Sequence, residues 1–399
     1  MRSRAAAWLA GGVGALVLRA TPLAEASSSA STAEPKPRPR LRLQRDASAF
    51  YIPPASESNL LLFAGNASTS LAAETSVLLG VQLGRVNCSR FADGEVSIQV
   101  MDNVRGKDCY VVQSLGPPVN ESLLELIFLV TTLRRASAGK ISVVLPYLGY
   151  TRHARGGKEA HEASPVAAAD VAKMLTVAGV DRVFTVDVHH LQVSGFFNRV
   201  PVDDIDPSGI AVPYFLKKNL VSPCVVSPDH DGVQRSKRFR DLLLQHGVLD
   251  ASLAVVVDQR KRAEKTESIV GDATLENNFE LVGDVRGKDC IIRDDIMESG
   301  RRVEYASQML RRAGARRIFA FSTHALMLAE GFTRIERSAV SEVVCTNTLP
   351  LKTMHPKVQQ LSVAALLAET IRRSHNNESI SEIFKPPPPP PPSAQQQPS

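Results

Sequence analysis

Short apolar runs alternate with longer amphipathic stretches between about residues 58 and 385. Strands are predicted at 60–64, 97–100, 109–112, 141–145, 182–186, 224–226, 252–257, 290–293, 318–321 and 342–345. Helices are predicted, among other places, at 122–136, 165–178, 302–313 and 361–374. Because strands and helices take turns along the chain, the pattern is typical of an α/β protein with mostly parallel sheets flanked by helices.

The sequence Val-Arg-Gly-Lys-Asp-Cys occurs twice, at 104–109 and at 285–290. Each copy is followed by an apolar run, a polar loop, a helix-like stretch that ends in Leu-Arg-Arg-Ala, and a second apolar run. The same order of elements at two places predicts a duplicated strand–helix–strand unit, and hence two similar domains. We interpret the Pro- and Asp-rich segment 201–207 as the junction, which gives domains at 58–203 and 204–385.

The two ends of the chain are predicted to lie outside this fold. Arg2 and Arg4 precede an apolar stretch at 5–18 that is too short to span a bilayer, so we interpret residues 1–56 as a disordered N-terminal presequence. A secretory signal peptide would share these features. The lack of a disulfide framework and the Ser- and Arg-rich, acid-poor continuation argue against secretion, and this continuation suits a mitochondrial or plastid presequence equally well. Cytoplasm is the alternative if the start codon is misassigned. Residues 386–399 are rich in Pro and Gln and are expected to be disordered.

The net charge of +6 does not predict a nucleic-acid partner. Residues 1–48 hold eight Lys or Arg and three Asp or Glu, out of 47 and 41 in the whole chain. The remaining residues therefore contain 39 basic and 38 acidic side chains and are nearly neutral. We expect no broad basic face for a phosphate backbone and no stable membrane span.

Polar segments that suit phosphate chemistry follow four of the predicted strands. They are 186–190 (Val-Asp-Val-His-His), 227–232 (Ser-Pro-Asp-His-Asp-Gly), 258–262 (Asp-Gln-Arg-Lys-Arg) and 293–300 (Arg-Asp-Asp-Ile-Met-Glu-Ser-Gly). Ligands bind beyond the carboxyl ends of strands in an open parallel sheet. Oxygen ligands beside His and several cations suit a site for Mg²⁺ and polyphosphate, and a Ser-Gly turn before a helix offers backbone N–H groups to a phosphate.

Each of these segments has a plainer interpretation when it is taken alone. A His after a strand is commonly a hydrogen-bonded structural residue, adjacent Asp residues commonly cap a helix, and a charged run commonly lies in a solvated loop. The occurrence of four such segments at equivalent positions favours a ligand site.

Further motifs make the chain recognisable as a whole. They are 90–95 (Arg-Phe-Ala-Asp-Gly-Glu), 134–139 (Arg-Arg-Ala-Ser-Ala-Gly), 146–152 (Pro-Tyr-Leu-Gly-Tyr-Thr-Arg), 187–189 with 192–197, 227–229, 346–348 and 371–376. On these residues the chain resembles the ribose-phosphate pyrophosphokinase (phosphoribosyl pyrophosphate synthetase) family over about residues 59–385. The resemblance implies two phosphoribosyltransferase-like α/β domains, in agreement with the duplication.

The resemblance also implies an activity, the transfer of the diphosphoryl group of Mg·ATP to ribose 5-phosphate, which gives phosphoribosyl pyrophosphate and AMP for nucleotide biosynthesis. It implies Mg²⁺ as cofactor and a homo-oligomer, or a hetero-oligomer with a paralogous synthetase. Matching positions assign ATP to Phe91, Asp93, Glu95, Arg152 and His153, ribose 5-phosphate to Asp294, Asp295, Glu298, Ser299 and Gly300, the metal to His189 and Asp229, and catalysis to Arg260 and Lys261. In the ATP group, Phe91, Asp93 and Glu95 would contact adenine across a subunit interface.

The chain departs from the family pattern inside the same segments. Gln259 stands where the family's catalytic loop has a lysine, and Arg301 replaces a glycine of the phosphate turn. His153 and Ala154 replace a Gln-Asp pair, and Asp231 replaces a glycine. Two functions therefore stay open: a divergent working synthetase, and a catalytically weak or inactive subunit that regulates an active synthetase.

Overall fold

The computed structural model describes residues 59–153, 166–258 and 279–384. In the first half of these ranges, the strands in chain order are β1 (Leu60–Ala64), β2 (Val86–Arg90), β3 (Val96–Val100), β4 (Asp108–Val112), β5 (Lys140–Leu145), β6 (Arg182–Val186) and β7 (Val202–Ile205). Strands β1, β4, β5, β6 and β7 lie side by side in that order as a parallel sheet, here called sheet 1. Strands β2 and β3 form a separate antiparallel hairpin.

The second half forms another sheet, here called sheet 2. Its strands in chain order are β8 (Cys224–Ser227), β9 (Ser252–Asp258), β10 (Phe279–Val282), β11 (Asp289–Met297), β12 (Arg317–Ala325), β13 (Glu342–Thr346) and β14 (Val358–Leu361). In space the order is β10, β9, β8, β11, β12, β13, β14, and only the β10–β9 pair among these described neighbours is antiparallel. Two mostly parallel sheets confirm the predicted α/β fold.

Helices cover the faces of both sheets. In chain order they are α1 (Thr69–Leu79), α2 (Val119–Arg135), α3 (Ala167–Ala178), α4 (Ser208–Leu216), α5 (Val233–Gln245), α6 (Arg301–Arg312), α7 (Ala329–Arg337) and α8 (Ala364–His375). Helix α2 shows why they pack, because Leu126, Leu129, Val130 and Leu133 recur at helical spacing and are all fully buried. Among the described residues, no helix is both long enough and apolar enough to cross a bilayer.

Most strands lie where the sequence has continuous apolar runs, because a parallel sheet covered on both faces buries every residue of its inner strands. In β11, every residue from Asp289 to Met297 is buried. The bounds of β1 and β6 are the predicted ones, whereas β11 and β12 each extend beyond the predicted strand at the carboxyl end. These extensions carry the polar residues of the site described below.

The duplicated unit is present as β4–α2–β5 in sheet 1 and β11–α6–β12 in sheet 2. Its two aspartates occupy equivalent register positions, since Asp108 lies opposite Lys140 and Asp289 lies opposite Arg317. Each copy thus places an acid beside a base at the start of adjacent parallel strands. The structure supports the duplication inferred from the repeated sequence.

Segment 201–207 is not a simple linker. Residues Val202–Ile205 form β7, which pairs with β6, and Ile205 is fully buried in the core of sheet 1. The predicted division between residues 203 and 204 therefore falls inside a strand. The chain changes sheet after β7, since α4 packs its Phe215 against Val225 of sheet 2.

The end of the described chain returns to sheet 1, which the predicted 204–385 domain did not anticipate. Helix α8 buries Leu367 and Ile371 in the same core as residues of β1, β4 and β6. The hydroxyl of Tyr110 donates to Ser374 Oγ at 3.3 Å, and His375 Nδ1 lies 2.8 Å from Asp108 Oδ2. The last helix therefore belongs structurally to the first half, because its apolar face covers a side of sheet 1.

Candidate active site

A cavity of about 310 Å³ lies at the carboxyl end of β11. Its lining comprises Arg152 and His189 from the sheet 1 half, and Asp294, Ile296, Met297 and residues 298–303 from the sheet 2 half. The strand ends at 186–190 and 293–300 are thus brought together. This is the edge at which parallel sheets bind ligands.

The cavity floor includes the turn Glu298–Ser299–Gly300, which joins β11 to α6. Gly300 has a φ of 71°, in the left-handed region that favours glycine. Helix α7 approaches the turn closely, because a Cβ built on Gly331 would lie 2.7 Å from the carbonyl oxygen of Glu298. Arg334 also donates to the carbonyl of Ser299 at 3.0 Å. Helix α7 therefore fixes the turn through its carbonyl groups. The backbone N–H groups at the beginning of α6 are available to an anion.

Arg152 reaches this turn from the other half of the molecule. Its Nη1 lies 2.6 Å from Glu298 Oε2, and the two side chains are 38% and 43% exposed. Partly exposed ion pairs are screened by water and are weak. Glu298 thus orients Arg152 toward the cavity without fixing it there.

The adjacent Asp294 and Asp295 have different environments although both are buried. Burial raises the pKa of Asp294 to about 7, against the nearby positive charge of Arg302. Burial alone would raise the pKa of Asp295 as well, but the hydrogen bond with His189 and the charge of Arg235 outweigh it and hold that pKa well below its ordinary value. Of the two, Asp294 lines the described cavity, whereas Asp295 is hydrogen-bonded to the ring of His189.

A buried charge network that the sequence did not reveal lies behind His189. The carboxylate of Asp187 accepts hydrogen bonds from Arg235 Nε at 2.8 Å and from Arg293 Nη2 at 2.7 Å. The hydroxyl of Thr323 also donates to it. Arg235 Nη2 lies 3.1 Å from Asp295 Oδ2, so the network extends from Asp187 to Asp295. Burial opposes ionisation of Asp187, but the two guanidinium groups outweigh it and lower the pKa of its carboxyl. A carboxylate between two arginines is the arrangement that makes a buried charge tolerable.

Asp229, in the loop after β8, is held on both oxygens. Oδ1 accepts from the backbone N–H of Gly232 at 2.8 Å, and Oδ2 accepts from Arg302 Nη1 at 2.8 Å. The same guanidinium lies 3.4 Å from Asp294 Oδ1. Sequence reasoning placed Asp229 in the site, but it did not anticipate that Arg302 would bridge it to Asp294.

The predicted adenine-binding residues lie at the tip of the β2–β3 hairpin. Phe91 is 60% exposed, and the turn is closed by hydrogen bonds from Phe91 N to the Glu95 carbonyl and from Glu95 N to Asp93 Oδ1, at 2.9 and 3.1 Å. The described lining of the 310 Å³ cavity does not include these residues. Within the one described chain they are presented outward.

Several residues assigned from the sequence lie outside the described residues. Arg260, Lys261, Gln259 and Ala154 fall in the gaps between described ranges. His153 ends the short helix Thr151–His153, and its side chain is outside the description. Their roles remain predictions.

A second cavity, of about 220 Å³, adjoins the first. His189 contributes to both linings, and the second is otherwise rich in acidic side chains, among them Asp204, Asp206 and Asp231. Burial raises the pKa of Asp204 to about 8, and the charge of Asp187 adds to the effect. His189 therefore stands between two cavities of different electrostatic character.

Comparison with known proteins identifies the family. Residues 60–179 match the N-terminal domain of ribose phosphate pyrophosphokinase, and residues 255–385 match the phosphoribosyl synthetase-associated domain. The ribose-phosphate pyrophosphokinase of Shewanella oneidensis is 41% identical over 329 residues, which cover 82% of this chain and 99% of that protein. The ribose-phosphate pyrophosphokinase of Haemophilus ducreyi is 40% identical over 330 residues, with the same coverage.

A solved structure agrees with these sequence relatives. The phosphoribosylpyrophosphate synthetase of Mycobacterium smegmatis superposes with a TM-score of 0.70 at 32% identity, over 80% of this chain and 100% of that one. The likeness extends over both sheets, as the coverage requires. The chain therefore belongs to the ribose-phosphate pyrophosphokinase family.

Proposed function

We propose that this chain is a ribose-phosphate diphosphokinase, which transfers the β,γ-diphosphoryl group of Mg·ATP to ribose 5-phosphate. One observation carries the proposal: a single cavity is lined by Arg152 and His189 on one side and by Asp294 and the turn 298–300 on the other. The first pair suits a polyphosphate, and the second group suits a sugar phosphate. Two substrates that must react with each other need such a shared space.

In this proposal, the 5-phosphate binds at the beginning of α6, where the backbone N–H groups and the positive end of the helix favour an anion. Asp294, at the end of β11, bonds the ribose hydroxyls. Because its pKa is raised to about 7, Asp294 exchanges between a donor and an acceptor near neutral pH. Its task is therefore to orient the sugar.

Arg152 would hold the phosphates of ATP, since its guanidinium is directed into the cavity by Glu298. The C1 hydroxyl oxygen of the sugar then forms a bond to the β-phosphorus, and the bond from that phosphorus to the α–β bridging oxygen breaks. AMP leaves with the bond's electron pair, and the hydroxyl proton passes to solvent. Positioning and neutralisation of charge supply most of the catalysis in such a transfer.

The residues present fit a bound Mg²⁺. Mg²⁺ in nucleotide sites takes one or two protein carboxylates and fills its other positions with phosphate oxygens and water. Asp229 offers a carboxylate at the edge of the site, and His189 presents a ring whose Nδ1 is already occupied by Asp295. When bound, the ion would neutralise charge on the transferring group. Among the described residues, no group of three or more His, Cys, Asp or Glu side chains that could hold a metal ion is present.

The exposed hairpin tip suggests how the adenine ring is bound. Phe91, Asp93 and Glu95 would contribute to the ATP site of a neighbouring copy, either of this chain or of a paralogous synthetase. An exposed aromatic ring flanked by carboxylates offers stacking and hydrogen-bond acceptors for an adenine amino group. This part of the proposal requires an oligomer, and Phe91→Ala should raise KM for ATP more than KM for ribose 5-phosphate.

The alternative of a regulatory subunit rests on sequence changes at Gln259, Ala154 and Arg301. The relatives reported above are named as pyrophosphokinases, so the comparisons do not favour this alternative over the enzyme. A direct assay separates the two functions.

The test is release of AMP from ATP by the full chain, with and without ribose 5-phosphate and Mg²⁺. We expect release only when both are present, and a fall of about a hundredfold in kcat/KM in Arg152→Ala. Arg240→Ala serves as a matched control, because it removes an arginine that pairs with Asp241 on α5. No AMP release from a folded chain that binds ATP would sink the catalytic proposal and leave the regulatory one.

A further inference from the structure

Arg302 occupies an unusual position at the second residue of α6. Its Nη1 lies 2.8 Å from Asp229 Oδ2 and 3.4 Å from Asp294 Oδ1, and its Nη2 lies 3.9 Å from Asp295 Oδ1. Nη2 also donates to the carbonyl of Ile296 at 3.4 Å. Carboxylates from two separate segments thus converge on one guanidinium, which neutralises part of their charge.

The position is not fixed by packing. The Arg302 side chain is 43% exposed and lines the 310 Å³ cavity together with the turn 298–300. A cation in the first turn of a helix is also opposed by the helix dipole, which favours an anion there. Apart from the long hydrogen bond to the carbonyl of Ile296, the described polar contacts of the Arg302 side chain are with carboxylates, so a ligand that engages the carboxylates can release it.

The two ligands expected in this site both favour the release of Arg302 from the carboxylates, by different means. A divalent cation at Asp229 competes for the oxygen that Arg302 now holds. A phosphate at the turn offers the same guanidinium a bidentate partner on the other side, and arginine binds phosphate well in that geometry. The side chain therefore has two alternative anionic partners within one cavity.

We propose that Arg302 is a tethered cation that moves from Asp229 and Asp294 to the phosphate of the sugar, and thereby makes the carboxylates available to the metal. This proposal rests on the proposed function, and it adds that sugar-phosphate binding and divalent-metal binding are positively coupled through one residue. In the free chain, Arg302 suppresses metal binding. In the sugar-phosphate complex, it contributes to phosphate affinity.

The test measures binding of Mn²⁺ alone to the full chain, from the electron paramagnetic resonance signal of the free ion, with and without saturating ribose 5-phosphate. In the wild type, we expect the sugar phosphate to tighten Mn²⁺ binding about five- to tenfold. In Arg302→Gln, Mn²⁺ should bind about five- to tenfold more tightly than in the wild type before any sugar phosphate is added, and the coupling should be mostly lost. Arg302→Lys should keep weak metal binding, because it keeps the charge.

Arg311→Gln is the matched control, since it removes an equal charge from the last turn of the same helix, at an exposed residue outside the described lining of the cavity. It should leave Mn²⁺ affinity within about twofold of the wild type, as expected for a charge whose interactions are screened. Unchanged Mn²⁺ affinity in Arg302→Gln would overturn the proposal, and so would full retention of the coupling. A wild type that fails to bind ribose 5-phosphate would instead contradict the proposed function, while the Mn²⁺ comparison of wild type and Arg302→Gln would still decide whether Arg302 competes with the metal.

Discussion

His189 Nδ1 lies 2.5 Å from Asp295 Oδ2, so the loop between β6 and β7 of sheet 1 is hydrogen-bonded to β11, the central strand of sheet 2. Arg235 contacts the same carboxylate oxygen at 3.1 Å, which keeps Asp295 charged. A carboxylate on one ring nitrogen of histidine fixes the orientation of the ring and makes the other nitrogen a better ligand. The pair therefore joins the two halves of the molecule and directs Nε2 of His189 away from Asp295.

From this relationship we predict that His189→Ala weakens Mg²⁺-dependent ATP binding about tenfold, the loss commonly seen when a metal-site histidine or its supporting group is removed. Thermal stability should change little, because Asp295 keeps its contact with Arg235. Calorimetric titration of ATP, with and without Mg²⁺, measures the effect. His190→Ala is the control: its ring centroid lies 4.2 Å from that of His189, and it should bind Mg·ATP as the wild type does. Wild-type affinity in His189→Ala would make His189 a structural residue.

Gly331→Ala should disturb the phosphate turn without unfolding the chain. The added Cβ would lie 2.7 Å from the carbonyl oxygen of Glu298, closer than real Cβ atoms approach, so the turn must move. We expect affinity for ribose 5-phosphate to fall about tenfold, since a small misplacement of positioning groups is costly.

Gly209→Ala is the control for that change, because it is also a helical glycine and a Cβ there meets no described atom within 4 Å. Replacing glycine by alanine inside a helix normally stabilises it by about 1 kcal/mol. Gly209→Ala should therefore raise Tm slightly and leave ribose 5-phosphate binding unchanged. Equal binding by both variants would show that the turn tolerates displacement.

Asp204→Asn should stabilise the protein above about pH 4. The carboxyl has an ordinary pKa of 3.8, which burial and the charge of Asp187 raise to about 8 in the folded chain. Between these values the folded chain binds more protons than the unfolded chain, so its stability falls as pH rises through this window. An asparagine keeps an oxygen for the N–H of Val188, which Asp204 accepts at 2.9 Å, and removes the titration.

Asp204 is only partly buried, so water screens much of the free-energy difference that the full pKa change would give. The expected gain in the free energy of unfolding is therefore about 1–2 kcal/mol at pH 8, and it is close to zero below pH 4. Thermal melts of wild type and Asp204→Asn from pH 4 to pH 9 should therefore diverge as pH rises. Parallel curves would mean that Asp204 titrates near its ordinary pKa.

The sequence predicted strands well where the chain is apolar and failed where polar residues pair. Strand β6 has the predicted bounds, whereas β7 was interpreted as a linker, because Asp203 and Asp204 are typical of loops and a four-residue outer strand has little pattern of its own. Helix α8 was predicted as a helix, but nothing local in its sequence shows that it covers sheet 1 rather than sheet 2.

The same distinction holds for the residues of the site: those that follow an apolar run were predicted, and those that depend on pairing between distant polar residues were not. Asp294 and His189 were found because they follow apolar strands, a signal visible along the chain. Arg235 was missed, and Arg293 was included in segment 293–300 without its buried contact with Asp187, because an arginine in a helix or a strand normally indicates a solvated position. Their partner Asp187 is 48 and 106 residues away from them, and only the folded chain brings such residues into contact.

Removal of residues 1–56 should leave the fold intact if they are a targeting presequence, as we propose. A chain that begins at Glu57 retains all the described strands and helices. Its Tm should lie within about 2 °C of the full chain, which corresponds to less than about 1 kcal/mol. A drop of many degrees would show that the leader contributes to the core.

Gln259→Lys addresses whether the chain is limited by a missing charge. Gln259 stands where the family's catalytic loop carries a lysine, outside the described residues, and a neutral amide cannot stabilise the charge that develops on the transferring group. If the chain is an enzyme with this deficit, the restored ammonium should raise kcat, by up to about a hundredfold, because it favours the transition state over bound substrate. If the chain is a regulatory subunit, the single change should do little, because Arg301 and Ala154 still alter the substrate sites. Lys261→Ala completes the test. If the wild type is as active as an ordinary synthetase, Gln259→Lys should leave that activity unchanged and Lys261→Ala should abolish it. That result would show that Lys261 supplies the charge instead.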